Sequence, residues 1–443
     1  MKPTLTGVLL VAAAFAAINT ADAQGKSPAP AYTLSVRIDP AAGRVEGKTE
    51  VRGLQDTAVM LNAAMEISRF ESAGRAVPFT RKPSGFMPGT TEVLIPAGFR
   101  DSLLIEYAGE MNQDSYPPIL SAANMIRPGL VELAMYLTWY PRPASGAVFT
   151  FDLNADLPSD YVTVTNGTPA GKKEENGRNI TQWKSYAPGN DIALLAAPNL
   201  RRADTSLGSV AVEIYYDKLP LTYVDSMKTN LLRSMDRLTT LLGKPAAAGL
   251  IRVAYSPRQA WGYVRMPFIV VSEGNALSWR SKEFGTARDF RYLTHEIAHY
   301  WWKYANMATP DDWINEGLAE YSAFMVSREI VGKEFADRLL VECRERASQS
   351  KTADPVAETQ ATSRDREINR YDKPVLLLNA LRVKYGDAKF DAFLRALYSR
   401  FSSANDATTA MFLEVTRKEL GAEARAMVQK AVYGKVWVEP GVQ

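Results

Sequence analysis

The spacing of apolar and polar positions changes period part-way along the chain. Over residues 32–202 apolar residues alternate with polar ones in short runs, as at 32–38, 103–107, 148–151 and 161–164. A period of two is that of half-buried strands. Asn166-Gly167 and Glu175-Asn176-Gly177 mark turns between them. Trp139-Tyr140-Pro141 reads as one more strand before Phe149. The pattern predicts an antiparallel sheet, sandwich-like or saddle-shaped. A short polar stretch at 203–208 precedes a further strand, 210–216, and the boundary between two domains is placed there, with a β-rich unit over 24–205 and a second unit over 206–443.

In the second unit the period becomes helical. Val224, Met227, Leu231, Met235, Leu238 and Leu242 recur at threes and fours, and Gly243 and Pro245 end the run. A strand at 268–271 follows, then a helix over about 286–304 and helical patterns at 312–330, 334–346, 374–385, 390–401 and 408–420. The expected fold is therefore multidomain α and β, an N-terminal β-sheet domain followed by a mixed α/β, mainly helical domain. No internal repeat is visible.

Composition changes this picture little. Of the 443 residues, 46% are hydrophobic and 23% charged, enough for a large core. A net charge of +3 without a dense Lys/Arg stripe argues against nucleic acid as a partner. Residues 1–23 read as an export signal: Lys2, an apolar run at 8–17, and Ala21-Asp22-Ala23 as the cleavage site before Gln24. That run is short for a bilayer and no later one is longer, so the chain is expected in the periplasm or secreted, without stable membrane insertion. Cys343 is the single cysteine, which excludes an intramolecular disulfide and a lipidated cysteine at the cleavage site, and it reads as a structural thiol. Nothing in the sequence indicates an oligomeric state.

The chemistry gathers at one place. Both histidines of the chain lie in His295-Glu296-Ile297-Ala298-His299. On a helix their side chains are turned about 40° apart and lie about 6 Å apart along the axis, so both rings reach one point. Imidazole nitrogens converging in this way suit one zinc ion, and Glu296, at the edge of that face, would meet the ion's water. A catalytic zinc takes three protein ligands, so the third must be Asp or Glu. Glu316 in Trp313-Ile314-Asn315-Glu316-Gly317 is the best placed, opening the next helix after Thr309-Pro310-Asp311-Asp312. The alternative is a solvated first-turn glutamate. Glu320, one turn on, is either the acceptor for the outer ring proton of a ligand histidine or a surface carboxylate.

HEIAH followed by Trp301-Trp302, then WINEGLAEY, resembles the gluzincin metallopeptidases and among them the aminopeptidase N family. The opening YTLSVRIDP…GKTEVRG and Trp139-Tyr140-Pro141 are similar to that family's β domain. The resemblance implies a thermolysin-like catalytic domain hydrolysing peptides, with His295, His299 and Glu316 as zinc ligands, Glu296 as general base, and Asn315 and Glu320 supporting them. Arg370-Tyr371-Asp372-Lys373 is similar to the family's Y-x-K-G segment, which makes Tyr371 the hydrogen-bond donor to the oxyanion. A fixed donor there is what metal-assisted hydrolysis requires.

Three departures from the family pattern bear on this reading. Residues 300–315, between the second histidine and Glu316, form a shorter connection than usual. Gly262-Tyr263-Val264-Arg265 stands where the family has G-x-M-E, with arginine replacing an amine-binding glutamate. Arg265 would repel an ammonium, attract a carboxylate or point to solvent, while the backbone of the stretch can still pair with an extended peptide. Glu132 has the spacing of a second amine-binding residue, its alternative being an exposed strand glutamate. Many relatives also continue into a large helical domain that the present sequence does not carry, so a more open cleft is expected. The expected function is an exported zinc peptidase, an aminopeptidase on oligopeptides. The alternatives are a peptidase of another specificity or an inactive zinc-retaining peptide-binding module.

Overall fold

The computed structural model describes residues 29–439 apart from 86–88, 100–101, 112–124, 246–248, 259–261, 281–282, 308, 351–353, 361–362 and 438. The expected export signal, residues 1–23, lies outside them. The first half is built on an eight-stranded sheet. Strand Ala31–Asp39 pairs antiparallel with Arg44–Arg52, which pairs antiparallel with Ser102–Glu110. Its alternation buries Tyr32, Leu34, Val36 and Ile38 and exposes the residues between. Each such side chain stabilises the sheet by roughly 1.5–3 kcal/mol relative to exposure. On its other side Ala31–Asp39 pairs parallel with Thr150–Pro158, a departure from the antiparallel expectation. Parallel neighbours need a long crossover, and residues 40–149 supply it through further strands of the same sheet, one four-stranded sheet and two strands of another.

Trp139-Tyr140-Pro141 is not a strand. It follows a 3-10 turn, Met135–Leu137, and its rings are buried among Phe149 and Asp191, so the apolar run reflects packing. The polar stretch before residue 210 is itself a strand, Arg201–Leu207, joined to Val210–Tyr216 through Gly208 at φ +59°. It is largely exposed and carries no apolar alternation to read.

The five-stranded sheet of the second half runs Arg201–Leu207, Val210–Tyr216, Leu250–Ser256, Phe268–Ser272, Tyr263–Arg265. The last is an edge strand, antiparallel to its neighbour. Helix Leu221–Leu242 packs against this sheet along the predicted apolar stripe, with Val224, Met227, Leu231 and Leu238 fully buried. The remaining helices follow the expected order. Glu273–Arg280 and Ala422–Tyr433 are additional, the first too short for a periodic signal and the second burying small Ala424 and Ala431 beside Val428. No helix among the described residues is long and apolar enough to cross a membrane. Cys343 is buried, which pushes its thiol up to about 12 and keeps it unreactive.

A shared apolar layer joins the halves: Leu130, Val164 and Leu195 from the first pack with Tyr215, Ala254, Tyr263 and Phe268 from the second. Charges cross it too. Arg252 donates to the Thr165 carbonyl at 2.7 Å, and two further arginine–carboxylate pairs, described below, flank the edge strand.

Candidate metal centre

The histidine helix spans Gly285–Ala298 and ends earlier than its pattern suggests. Tyr300, Trp301 and Trp302 turn into the core, and their N–H groups close a tight turn on Ile297 and Ala298 carbonyls. Their ring donors are fixed as well: Tyr300 donates to Leu250 O, Trp301 to Gly243 O and Trp302 to Ser322 Oγ. His299 thus caps the helix at φ −64°, ψ −8°, where the C-terminal carbonyls favour a cation.

The helix Trp313–Ile330 starts after a 3-10 turn, Pro310–Asp312, and places Glu316 in its first turn. Asn315 fixes that start, donating to Ala305 O and Asp312 Oδ1 while accepting the Ala305 N–H. Gly317 is required by contact, since a Cβ there would lie 2.5 Å from Pro374 Cβ.

The ligand atoms of His295, His299 and Glu316 lie within 4.8 Å of one another. The Nε2 atoms of the two rings are 3.2 Å apart, and Glu316 Oε2 is 3.3 and 3.6 Å from them. A tetrahedral zinc with bonds of about 2.0–2.1 Å has ligand–ligand edges of about 3.3 Å, so the three fit. The tautomers agree. His295 Nδ1 faces Glu320 Oε2 at 2.9 Å and His299 Nδ1 faces Trp302 O at 2.9 Å. With His299 Nδ1 bonded to a carbonyl and His295 Nδ1 beside a carboxylate, both Nε2 atoms face the same space, an arrangement that suits a cation. Burial works to lower His299, but Glu316 and Glu296 outweigh it and carry the ring up to about 9. Burial likewise works to raise Glu316, and hydrogen bonds from the two rings hold it well below the usual carboxylate range. Glu320 is also ion-paired with Arg291, one turn before His295.

Glu296 is buried and outside the group facing that space. Tyr371 lies in a π-helical turn, Ile368–Asp372, its ring centroid 5.8 Å from that of His295. Burial, then the Glu316 charge, hold its hydroxyl well above the usual phenol range, so it remains a donor. The preceding residue, Arg370, forms a fully buried pair with Asp312, Nη1 to Oδ2 2.6 Å. This pair ties the tyrosine's turn to the start of the glutamate's helix.

Two expectations are corrected at the edge strand. Arg265 neither points to solvent nor stands as a free cation, because its Nε is 2.7 Å from buried Asp191 Oδ2 and its guanidinium lies over the rings of Tyr136 and Tyr263. Glu132 is not exposed. It is fully buried, accepts a hydrogen bond from the Ser256 hydroxyl at 2.5 Å and pairs with Arg258 Nη1 at 3.1 Å. Burial raises it despite Arg258. Gly262 and Val264 flank buried Tyr263 in the chain, Gly262 against Tyr292 of the histidine helix and Val264 against the helical core. Arg291, Arg258, Asp191 and the Asp312–Arg370 pair carried no sequence signal beyond charge, except that Arg291 stands four before His295.

Two inward-facing histidines, a glutamate from the next helix and a carboxylate beside the first histidine make a candidate metal centre between two helices. Residues 281–430, which contain all of them, match the peptidase family M1 domain. A search of curated proteins finds no match. Among solved structures, the M1 zinc metallopeptidase from Deinococcus radiodurans superposes with a TM-score of 0.70 at 20% identity, over 94% of this chain and 97% of that one. Its glutamate-to-alanine mutant bound to a Tyr-Ser-Ala substrate gives 0.70 at 20%, over 92% and 94%. A two-domain M1 zinc metallopeptidase mutant bound to L-arginine gives 0.72 at 20%, over 93% and 96%. These likenesses establish the two-part fold.

Proposed function

We propose that the protein cleaves peptides at this centre, with His295, His299 and Glu316 holding zinc. The observation that carries the reading is the convergence of both Nε2 lone pairs and a carboxylate oxygen on one space, with Glu296 alongside. When bound, the ion polarises a carbonyl and makes a water more acidic. Glu296 takes the proton of the attacking water at its carboxylate and later delivers it to the leaving amine. Tyr371 donates its hydroxyl proton in a hydrogen bond to the carbonyl oxygen as negative charge grows there. Glu320 holds the His295 tautomer, and Asn315 the connection before Glu316. Tyr263–Arg265, the edge strand of the sheet among the described residues, would pair with an extended peptide through backbone groups other than the Val264 carbonyl, which accepts from Arg265.

Aminopeptidase action on oligopeptides is the reading that the family favours, and the tripeptide and amino acids bound by the similar structures accord with it. A second reading has its own support. Glu132 and Asp191, the carboxylates flanking the edge strand, are both neutralised by arginines, which favours peptides without a charged amino end. Comparing turnover of amino-acid p-nitroanilides with that of N-blocked peptides separates the two, since activity on the blocked set alone would sink aminopeptidase action. For the chemistry, Glu296→Gln should keep zinc and lose turnover. Full activity in that variant would remove Glu296 from the mechanism. Export is part of the proposal: the mature protein should begin at Gln24, and recovery of the intact leader from the periplasm would refute cleavage.

A further inference from the structure

One tyrosine that no motif singles out joins Glu296 to the edge strand. Tyr292 lies one helical turn before Glu296 and so covers the same helix face. Its hydroxyl accepts the Gly262 N–H at 2.8 Å and interacts with the Glu296 carboxylate one turn on. A phenol has one proton to donate, and a carboxylate can only accept it, so Glu296 is the acceptor assigned to it here. Burial first, and the Glu296 charge second, keep Tyr292 well above the usual phenol range, so the hydroxyl remains protonated. Gly262 completes the arrangement. A Cβ at that position would lie 2.7 Å from the Tyr292 hydroxyl and 2.7 Å from Val270 O, so only glycine lets strand and phenol approach this closely.

We propose that Tyr292 is a positioning residue which holds Glu296 in register with a peptide lying along Tyr263–Arg265. The inference rests on Glu296 being the base. The phenol links the strand that would carry substrate to the carboxylate that would move the proton, and it stands one turn away from the first metal-ligand candidate. A displaced base loses rate while substrate binding is retained, because the strand itself is unchanged.

The test is Tyr292→Phe, which removes only the hydroxyl. Turnover should fall on the order of 10- to 100-fold, with KM within about twofold and zinc content and melting temperature as in the wild type. In metal-free protein, hydrogen exchange at the Gly262 amide should accelerate, since its acceptor is gone. Gly262→Ala, which displaces the phenol from the other side, should reproduce the loss in kcat. Wild-type kcat with unchanged Gly262 exchange would overturn the proposal, and so would a loss that follows zinc content or melting temperature. Failure of the base assignment looks different: Glu296→Gln then keeps full turnover, and the proposal falls with it.

Discussion

The buried pair between Asp312 and Arg370 offers the sharpest test of how the centre is held. Asp312 is 1% and Arg370 2% exposed, and their contact is 2.6 Å. Asp312→Ala leaves a guanidinium in the interior, facing Met307 O at 3.5 Å, and takes one of two acceptors from the Asn315 amide, which keeps the Ala305 carbonyl. Removing one member of such a pair costs about 3–5 kcal/mol, whereas replacing both with apolar residues of similar volume is near neutral. Asp312→Ala and Arg370→Met should each lose stability on that scale, and Asp312→Ala with Arg370→Met should cost much less than the two losses summed. Urea denaturation of the four proteins gives the coupling energy directly. Activity supplies a second reading. Tyr371 follows Arg370 and Glu316 follows Asp312 by one turn, so loosening the pair moves the oxyanion donor away from the ligands. Loss of one oxyanion donor lowers kcat by about 10²–10³, and the single variants should approach the lower figure. Stability losses that add within about 0.5 kcal/mol in the double variant, or unchanged kcat in Asp312→Ala, would show that the pair does not act as a unit.

Four further outcomes follow from the geometry. His299→Ala should abolish stoichiometric zinc measured by atomic absorption, because no third histidine exists to replace it; full retention would exclude the site. Glu320→Gln should weaken zinc about 10- to 100-fold in chelator competition by loosening the His295 tautomer, and unchanged affinity would reduce Glu320 to a partner of Arg291. Tyr371→Phe should lower kcat by about 10²–10³ with little change in KM, an outcome that a purely structural tyrosine would not give. Asp289 is fully buried with Tyr223 and Tyr255 donating to it, and burial, which those bonds only partly offset, raises it to about 6. A carboxyl whose folded value exceeds its unfolded one stabilises fully below about pH 4 and loses that contribution as pH rises through about 6. Stability should fall by about 3 kcal/mol over that window, and Asp289→Asn should remove that part of the slope in urea titrations at each pH.

Much of the site was legible because its logic is local. His295 and His299 share a face by helical spacing alone, and Glu316 stands at a helix start marked by Thr309-Pro310-Asp311-Asp312. The apolar stripe of Leu221–Leu242 was readable for the same reason. The helix end was misread, because Tyr300, Trp301 and Trp302 continue an apolar run while their rings are drawn to distant acceptors. The orientation of Arg265 stayed open in the sequence because Asp191, which neutralises it, lies far back in the β-rich half.

By itself, then, the sequence determined the periods, the β-then-α order of the chain and the shared face of the two histidines, since each depends on neighbours within one or two turns. Only the tertiary structure decided which charges remain available. Glu132 meets Ser256 across 124 positions, and Asp312 meets Arg370 across a turn and two helices. Pairing of buried charges is set by where separate elements come to rest in a medium of low dielectric. Sequence spacing carries no record of that.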